Sequence, residues 1–195
     1  MYMGKRVQRV TPKCLNEVEI ERLFSHVKDV RDRAILRLAY HRGLRASEVG
    51  LLQLSDYRAD AGRLFVHRLK GSNSAEFPLL PVEQTSLRAW IRERGTVPGP
   101  IFPSRNRRPI SRRRLDELMR HYGALANIPE DRRHMHVLKH SCGTHLYERT
   151  GDIVLVQDHL GHRDIRSTSI YIAMSTKKRE ELAVRLADWG RKKVA

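Results

Sequence analysis

The strand-like alternation of apolar and polar residues is confined to a short part of this chain, residues 63–80. Arg63–Leu69 alternates well enough for a strand, and Ala75–Leu80 supplies a hairpin partner, with Gly71–Asn73 as the turn between them. The flanking stretches instead repeat apolar residues at the spacing of amphipathic helices. We therefore expect a mostly α fold with a small antiparallel hairpin or three-stranded sheet near residues 63–80.

Start and stop signals divide the rest of the chain into helices. Asn16 and Glu19 form a capping box that opens the first helix. Ser111 caps a later helix, and Gly151 is a suitable residue to end the helix over 137–149. Further helices are expected over 31–41, 46–52, 82–94 and 152–159, over a short segment from 165 that ends at Tyr171, and over 176–189.

The charge of the chain points to a polyanionic partner, because its 195 residues carry a formal net charge of +16. A membrane surface is the competing interpretation. No basic amphipathic helix stands out, however, and no apolar run approaches the roughly 18 residues of a spanning helix. Nucleic acid is therefore favoured. An arginine run is usually a solvated face, but several arginines here are candidates for phosphate contacts: Arg105, Arg107, Arg108, Arg112 and Arg113.

The first residues show no folded pattern. Residues 1–13 are basic and unpatterned, so we expect a flexible arm followed by one domain over residues 14–195. This arm lacks the apolar core of a signal peptide, which predicts a cytoplasmic protein. The two cysteines, Cys14 and Cys142, form neither a disulfide framework nor a paired ligand motif.

Residues 134–171 hold most of the chemistry that the sequence offers, including six of the ten histidines. His136 and Lys139 lie one helical turn apart, Gly161 presents His162, and Tyr171 follows nine residues later. A phenol with a pKa near 10 is a poor nucleophile unless a base or positive charge lies beside it. A phosphodiester under attack gathers negative charge that fixed cations stabilise. The pattern therefore suits attack of a tyrosine on a phosphate.

Each of these residues also has an ordinary structural interpretation. Tyr171 lies between two isoleucines, as core tyrosines do, and a single histidine such as His162 is commonly a satisfied structural residue. The spacing of His136 and His140 permits a helical metal pair, but no carboxylate or cysteine completes a ligand set. We therefore expect no metal site.

The combined motifs resemble the tyrosine recombinases, also called integrases, whose signature runs Arg, Lys, His-x-x-Arg, His or Trp, and Tyr. The matching residues are Arg45 in GLRASEV, Lys70 in HRLKGS, His136 in HVLKHSCG, His162 in LGHRDI, and Tyr171. Within the family, the short fimbrial phase-switch recombinases carry similar HRLK, KHSCG-like and QDxLGHRxIR stretches. The resemblance covers roughly residues 12–175 and implies the fold of a recombinase catalytic domain.

The resemblance also implies an activity, the site-specific inversion, integration or excision of double-stranded DNA without a metal or other cofactor. It implies a homo-oligomer, a tetramer, on DNA, whereas the oligomeric state off DNA stays open, with a monomer as one alternative. Tyr171 would attack the scissile phosphate and form a 3′-phosphotyrosine. The implied roles of the other residues are phosphate binding by Arg45 and Lys139, proton movement by His136, a phosphate hydrogen bond from His162, and leaving-group protonation by Lys70.

One position departs from the family pattern, because the second arginine of the signature is here Lys139. Lysine keeps the positive charge but loses the planar fork that gives arginine two hydrogen bonds to one phosphate. Strand cleavage at a reduced rate is the expectation. A DNA-binding accessory protein that has lost the chemistry is one alternative, and an enzyme like the type IB topoisomerases, which share this chemistry, is the other.

Overall fold

The structure of the protein is a computed structural model that describes residues 13–69, 72–174, 182–184 and 186–187. Within these ranges the helices are α1 (Glu17–His26), α2 (Val30–His41), α3 (Ala46–Leu51), α4 (Pro81–Arg94), α5 (Arg112–Leu125), α6 (Met135–Thr150), α7 (Ile153–Leu160) and α8 (Ile170–Met174). None of the helices in the described part is long and apolar enough to cross a membrane. Residues 1–12, the greater part of the expected arm, lie outside the described residues.

The expected helix caps are present. The Asn16 side chain accepts a hydrogen bond from the Glu19 amide at 2.8 Å, and the Glu19 carboxylate accepts one from the Asn16 amide at 2.9 Å. Ser111 caps α5 by accepting from the Arg114 amide at 3.2 Å. Gly151 ends α6 in the left-handed conformation, with φ of 69°. These local rules predicted most helix ends to within one or two residues.

The sheet has three antiparallel strands in the order β1 (Tyr57–Arg58), β2 (Arg63–Val66) and β3 (Ala75–Pro78). Leu64 pairs with Tyr57 on one side and with Phe77 on the other. Leu64, Val66 and Phe77 face the core. The mostly α fold with a small sheet is confirmed, although the central strand ends at Val66 and not at the expected Leu69.

The core is built around α2 and α6, which pack against each other. Ala34, Ile35 and Leu38 of α2 are fully buried. Helix α2 also packs extensively against α4. Helix α6 is buried along most of its length and contacts α7 and α8. A central helix therefore carries the stretch HVLKHSCG, which places Lys139 and Ser141 inside the protein and leaves His136 exposed at its start.

The segment around Tyr171 differs from the expectation. A 3₁₀ turn over Ile165–Ser167 comes first, and Tyr171 is the second residue of α8, so it begins a helix and does not end one. The side chain of Asp164 caps the 3₁₀ turn by accepting a hydrogen bond from the Arg166 amide at 2.8 Å. This cap starts the 3₁₀ turn as an element of its own, separate from α8. Of the helix expected over 176–189, only residues 182–184 and 186–187 are described, and these are helical.

Candidate active site

Arg45 lies at the start of α3, where a buried carboxylate fixes it. Its backbone amide donates to Glu48 Oε2 at 2.8 Å, and its Nη1 donates to Glu48 Oε1 at 2.6 Å. Burial alone would raise the pKa of Glu48, but the Arg45 amide and the charges of Arg68 and Lys139 outweigh it and lower that pKa. The Arg45 side chain remains 31% exposed. Glu48 therefore stays ionised and holds a half-buried guanidinium in place.

An open cleft of about 480 Å³ lies in front of Arg45. Arg112 of α5 and His134 and His136 at the start of α6 line it together with Arg45. His136 is exposed, and partial burial followed by the charges of Lys139, His134 and Arg45 lowers its pKa. The cleft thus combines two arginines with imidazole groups, a set of donors suited to an anionic oxygen.

Lys139 does not line this cleft. Its side chain is 2% exposed, and Nζ donates to the carbonyl oxygens of Gly43 at 2.7 Å and Leu160 at 3.2 Å. Burial, followed by the charge of Arg68, lowers the pKa of Lys139 to about 7. Lys139 therefore joins the turn before Arg45 to the end of α7, and contact with a phosphate stays a prediction for it.

Arg68 is a second buried cation next to Lys139, and no role is predicted for it from the sequence. Its Nη1 donates to Gly43 O at 3.1 Å and to Glu48 Oε2 at 3.0 Å. Its Nη2 donates to Arg42 O at 2.7 Å and to His159 O at 2.9 Å. Alternation along β2 could have indicated an inward side chain, because position 68 continues the face of the buried positions 64 and 66.

Tyr171 packs inside the protein between His162 and α6. Its ring lies 6.4 Å from the His162 ring, at an interplanar angle of 11°, and Tyr171 has no exposed surface. The absence of a side chain at Gly143 makes room for the phenol, because an added Cβ would lie 2.5 Å from Tyr171 Cζ. Burial raises the pKa of Tyr171 above its ordinary value, although Arg45 opposes this.

His162 is buried beside the tyrosine and is oriented by a hydroxyl group. Its Nδ1 lies 3.0 Å from Thr168 Oγ1. Burial, followed by the charges of Lys139 and Arg45, lowers the pKa of His162 to about 3, so the imidazole is neutral at pH 7. One face of His162 therefore supports the phenol, and its hydrogen bond fixes the ring.

His140 connects Tyr171 to the cleft. The Tyr171 hydroxyl lies 3.4 Å from His140 Nδ1. The His140 ring meets His136 edge to face, with centroids 4.3 Å apart, and His136 lines the cleft. The sequence indicates His140 only as half of a possible metal pair with His136. In the described part of the chain there is no group of three or more His, Cys, Asp or Glu residues placed to hold a metal ion.

The remaining predicted residues are divided among different surfaces. Arg112 lines the cleft, whereas Arg105 and Arg108 line a separate groove of about 590 Å³ on the protein surface. Arg113 is exposed and pairs with a glutamate one turn along α5, and Arg107 is exposed in a turn with φ of 57°. Lys70 lies outside the described residues.

Comparison with known proteins places the chain in a family. Residues 13–178 match the phage integrase family. The type 1 fimbriae regulatory protein FimE of Escherichia coli (strain K12) is 36% identical over 153 residues, which are 76% of this chain and 77% of FimE. The crystal structure of XerA recombinase superposes with a TM-score of 0.79 at 25% identity, over 90% of this chain and 65% of that one.

A structure of XerH site-specific recombinase bound to palindromic difH substrate also has the same fold, with a TM-score of 0.79 at 21% identity over 92% of this chain. The chain spans 65% of the XerA structure and 55% of the XerH structure, so it corresponds to part of these recombinases. The chain belongs to the phage integrase family, the tyrosine recombinases. Within that family it is similar to the fimbrial recombinases, as FimE shows.

Proposed function

We propose that this protein is a site-specific DNA recombinase that inverts a DNA segment, cleaving and rejoining strands through a 3′-phosphotyrosine at Tyr171. The supporting observation is an unbroken line of contacts from the phenol to an open basic cleft. Tyr171 meets His140, which meets His136. His136 in turn lines the cleft with Arg45. The similarity to FimE favours inversion over integration or excision.

The exposed groups of the cleft bind the scissile phosphate in this proposal. Arg45, held by Glu48, contacts a non-bridging oxygen, and His136 adds a second donor from the start of α6. His162 donates an imidazole N–H to a phosphate oxygen once the phenol has moved toward the cleft. Lys70 protonates the departing 5′ oxygen, a role that stays a prediction from its place in HRLKGS.

The polyanionic partner is double-stranded DNA, bound by residues 14–195 as the catalytic domain, with residues 1–13 as a basic arm. The net charge of +16 supports this, as does the difH substrate in the XerH structure. Arg112, which lines the cleft, holds phosphates beside it in this proposal. We propose a homo-oligomer, a tetramer, on DNA. No metal or nucleotide is required, because the phosphotyrosine conserves the bond for rejoining.

A nicked suicide duplex tests the reaction. The duplex carries a site recovered by rounds of binding selection, and covalent protein–DNA complexes are separated on a denaturing gel. Wild type should form a covalent band that Tyr171→Phe loses, whereas Tyr147→Phe, a tyrosine of the same protein outside the site, should keep it. A band that persists in Tyr171→Phe would exclude this tyrosine as the nucleophile.

Two observations favour a second candidate, a DNA-binding accessory protein without strand cleavage. Tyr171 has no exposed surface, and Lys139 is engaged with backbone carbonyls. The same gel separates the two candidates. An accessory protein would bind the selected duplex with the usual steep salt dependence but would give no covalent band in any variant.

A further inference from the structure

Among the described residues, the Tyr171 hydroxyl has one hydrogen-bond partner that can accept its proton. It has no contact with solvent, and among the described residues its only hydrogen-bond partner is His140 Nδ1 at 3.4 Å. A separation of this size is common for catalytic hydrogen bonds before substrate binds, and such contacts shorten in the reacting complex. His136, for which the sequence predicts a role in proton movement, meets the His140 ring edge to face and lines the cleft.

We propose that His140 accepts the hydroxyl proton of Tyr171 when the phenol attacks the scissile phosphate, an assignment that rests on the proposed recombinase activity. Tyr171 Oη forms a bond to phosphorus, the bond from phosphorus to the 5′ oxygen breaks, and the phenolic proton moves to His140 Nδ1. The departing oxygen takes its proton from the acid on its own side, for which Lys70 is the expected donor. In rejoining, the 5′ oxygen attacks phosphorus and gives its proton back to Lys70, the bond from phosphorus to Tyr171 Oη breaks, and His140 returns its proton to the phenolate.

The surroundings of His140 keep its ring neutral before substrate binds. Burial, followed by the charges of His136, Lys139 and His134, lowers the pKa of His140 to about 4. The imidazole is therefore neutral at pH 7, and the tautomer with hydrogen on Nε2 leaves the Nδ1 lone pair directed at the phenol. A phosphate that enters the cleft beside His136 brings negative charge and makes protonation of His140 easier. The base thus gains strength when substrate is bound.

The same helix contains a matched pair that lies outside the site. His145 Nδ1 is 2.8 Å from the Tyr40 hydroxyl, so α6 carries two contacts of the same kind, five residues apart. The Tyr40 pair does not line the cleft. His145→Asn is consequently the control for His140→Asn, because both substitutions leave an acceptor oxygen near the position of Nδ1 but remove a group that can take up a proton.

The first arm of the experiment determines the tautomer of His140 in the DNA-free protein by nitrogen-edited NMR of the imidazole rings. Hydrogen on Nε2 and none on Nδ1 is expected. Hydrogen on Nδ1 would make His140 a donor to the phenol and would overturn the proposal.

The second arm compares cleavage rates on the nicked suicide duplex. His140→Asn should cleave about 10²- to 10⁴-fold more slowly than wild type, the usual contribution of a general base, and His145→Asn should stay within a few-fold. A 5′-bridging phosphorothiolate, whose thiolate leaves without protonation, should not rescue His140→Asn. Rescue would place His140 on the leaving-group side, and an unchanged or faster rate in His140→Asn would show that the contact only holds the tyrosine. Absence of a band in wild type would instead overturn the recombinase activity and this assignment together.

Discussion

Replacement of Lys139 by methionine gives a direct measure of how strongly the site disfavours a buried ammonium group. Lys139→Met keeps most of the length of the side chain but removes its charge and the donors to Gly43 O and Leu160 O. Burial lowers the pKa of Lys139 from 10.5 to about 7 in the folded protein, whereas the unfolded chain keeps the ordinary value. Between these two pH values the unfolded state binds one more proton than the folded state. The stability that depends on Lys139 therefore rises with pH across that window.

The size of the effect follows from the two pKa values. Each pH unit inside the window is worth about 1.4 kcal/mol, so the whole window is worth about 5 kcal/mol and the interval from pH 7 to 9 about 2–3 kcal/mol. The free energy of unfolding of wild type minus that of Lys139→Met should increase by this amount, since contributions of other titrating groups cancel in the difference. Urea titrations followed by circular dichroism at each pH measure it. A difference that stays flat or falls with pH would show that the pKa of Lys139 is not lowered.

Three further substitutions test the packing of the site. Gly143→Ala places a Cβ 2.5 Å from Tyr171 Cζ, so overpacking should lower the free energy of unfolding by about 1–3 kcal/mol. The substitution should also displace the phenol, and spectrophotometric titration would then detect a pKa of Tyr171 closer to 10. Arg42→Met leaves the buried carboxylate of Glu83 without its bidentate partner, so the free energy of unfolding measured in urea should fall by about 3–5 kcal/mol. The double variant Arg42→Met/Glu83→Leu should recover most of this loss. Equal stability of the single and double variants would contradict the ion-pair argument. Lys139→Arg should lower the melting temperature, because a larger cation must fit beside the buried guanidinium of Arg68. A gain in both thermal stability and strand cleavage would refute this prediction.

Local rules predicted the framework of this protein well because they act over a few residues. The capping box of Asn16, the Ser111 cap and the left-handed Gly151 depend on adjacent backbone groups, which the sequence displays. The signature likewise predicted a grouping of residues, and the structure brings Arg45 and His136 to one cleft. These two residues are far apart in the chain, and only the family resemblance linked them.

The features that sequence reasoning missed depend on tertiary packing. Nothing in the spacing of His140 indicates that a phenol 31 residues later will meet its Nδ1, because that contact requires the absent side chain of Gly143 on α6. The orientation of Lys139 was missed for a related reason. Its carbonyl partners belong to Gly43 and Leu160, residues 96 and 21 positions away, which no local pattern connects to it.

The buried cations explain how a lysine is accommodated where the family signature has an arginine. Arg68 already supplies a guanidinium that binds Glu48 and the carbonyls of the turn before Arg45. Lys139 shares one of those acceptors, Gly43 O, and adds a link to the end of α7. A compact ammonium can share a carbonyl beside a planar guanidinium, whereas a second fork would compete for the same space. The two residues together therefore fix the backbone that presents Arg45.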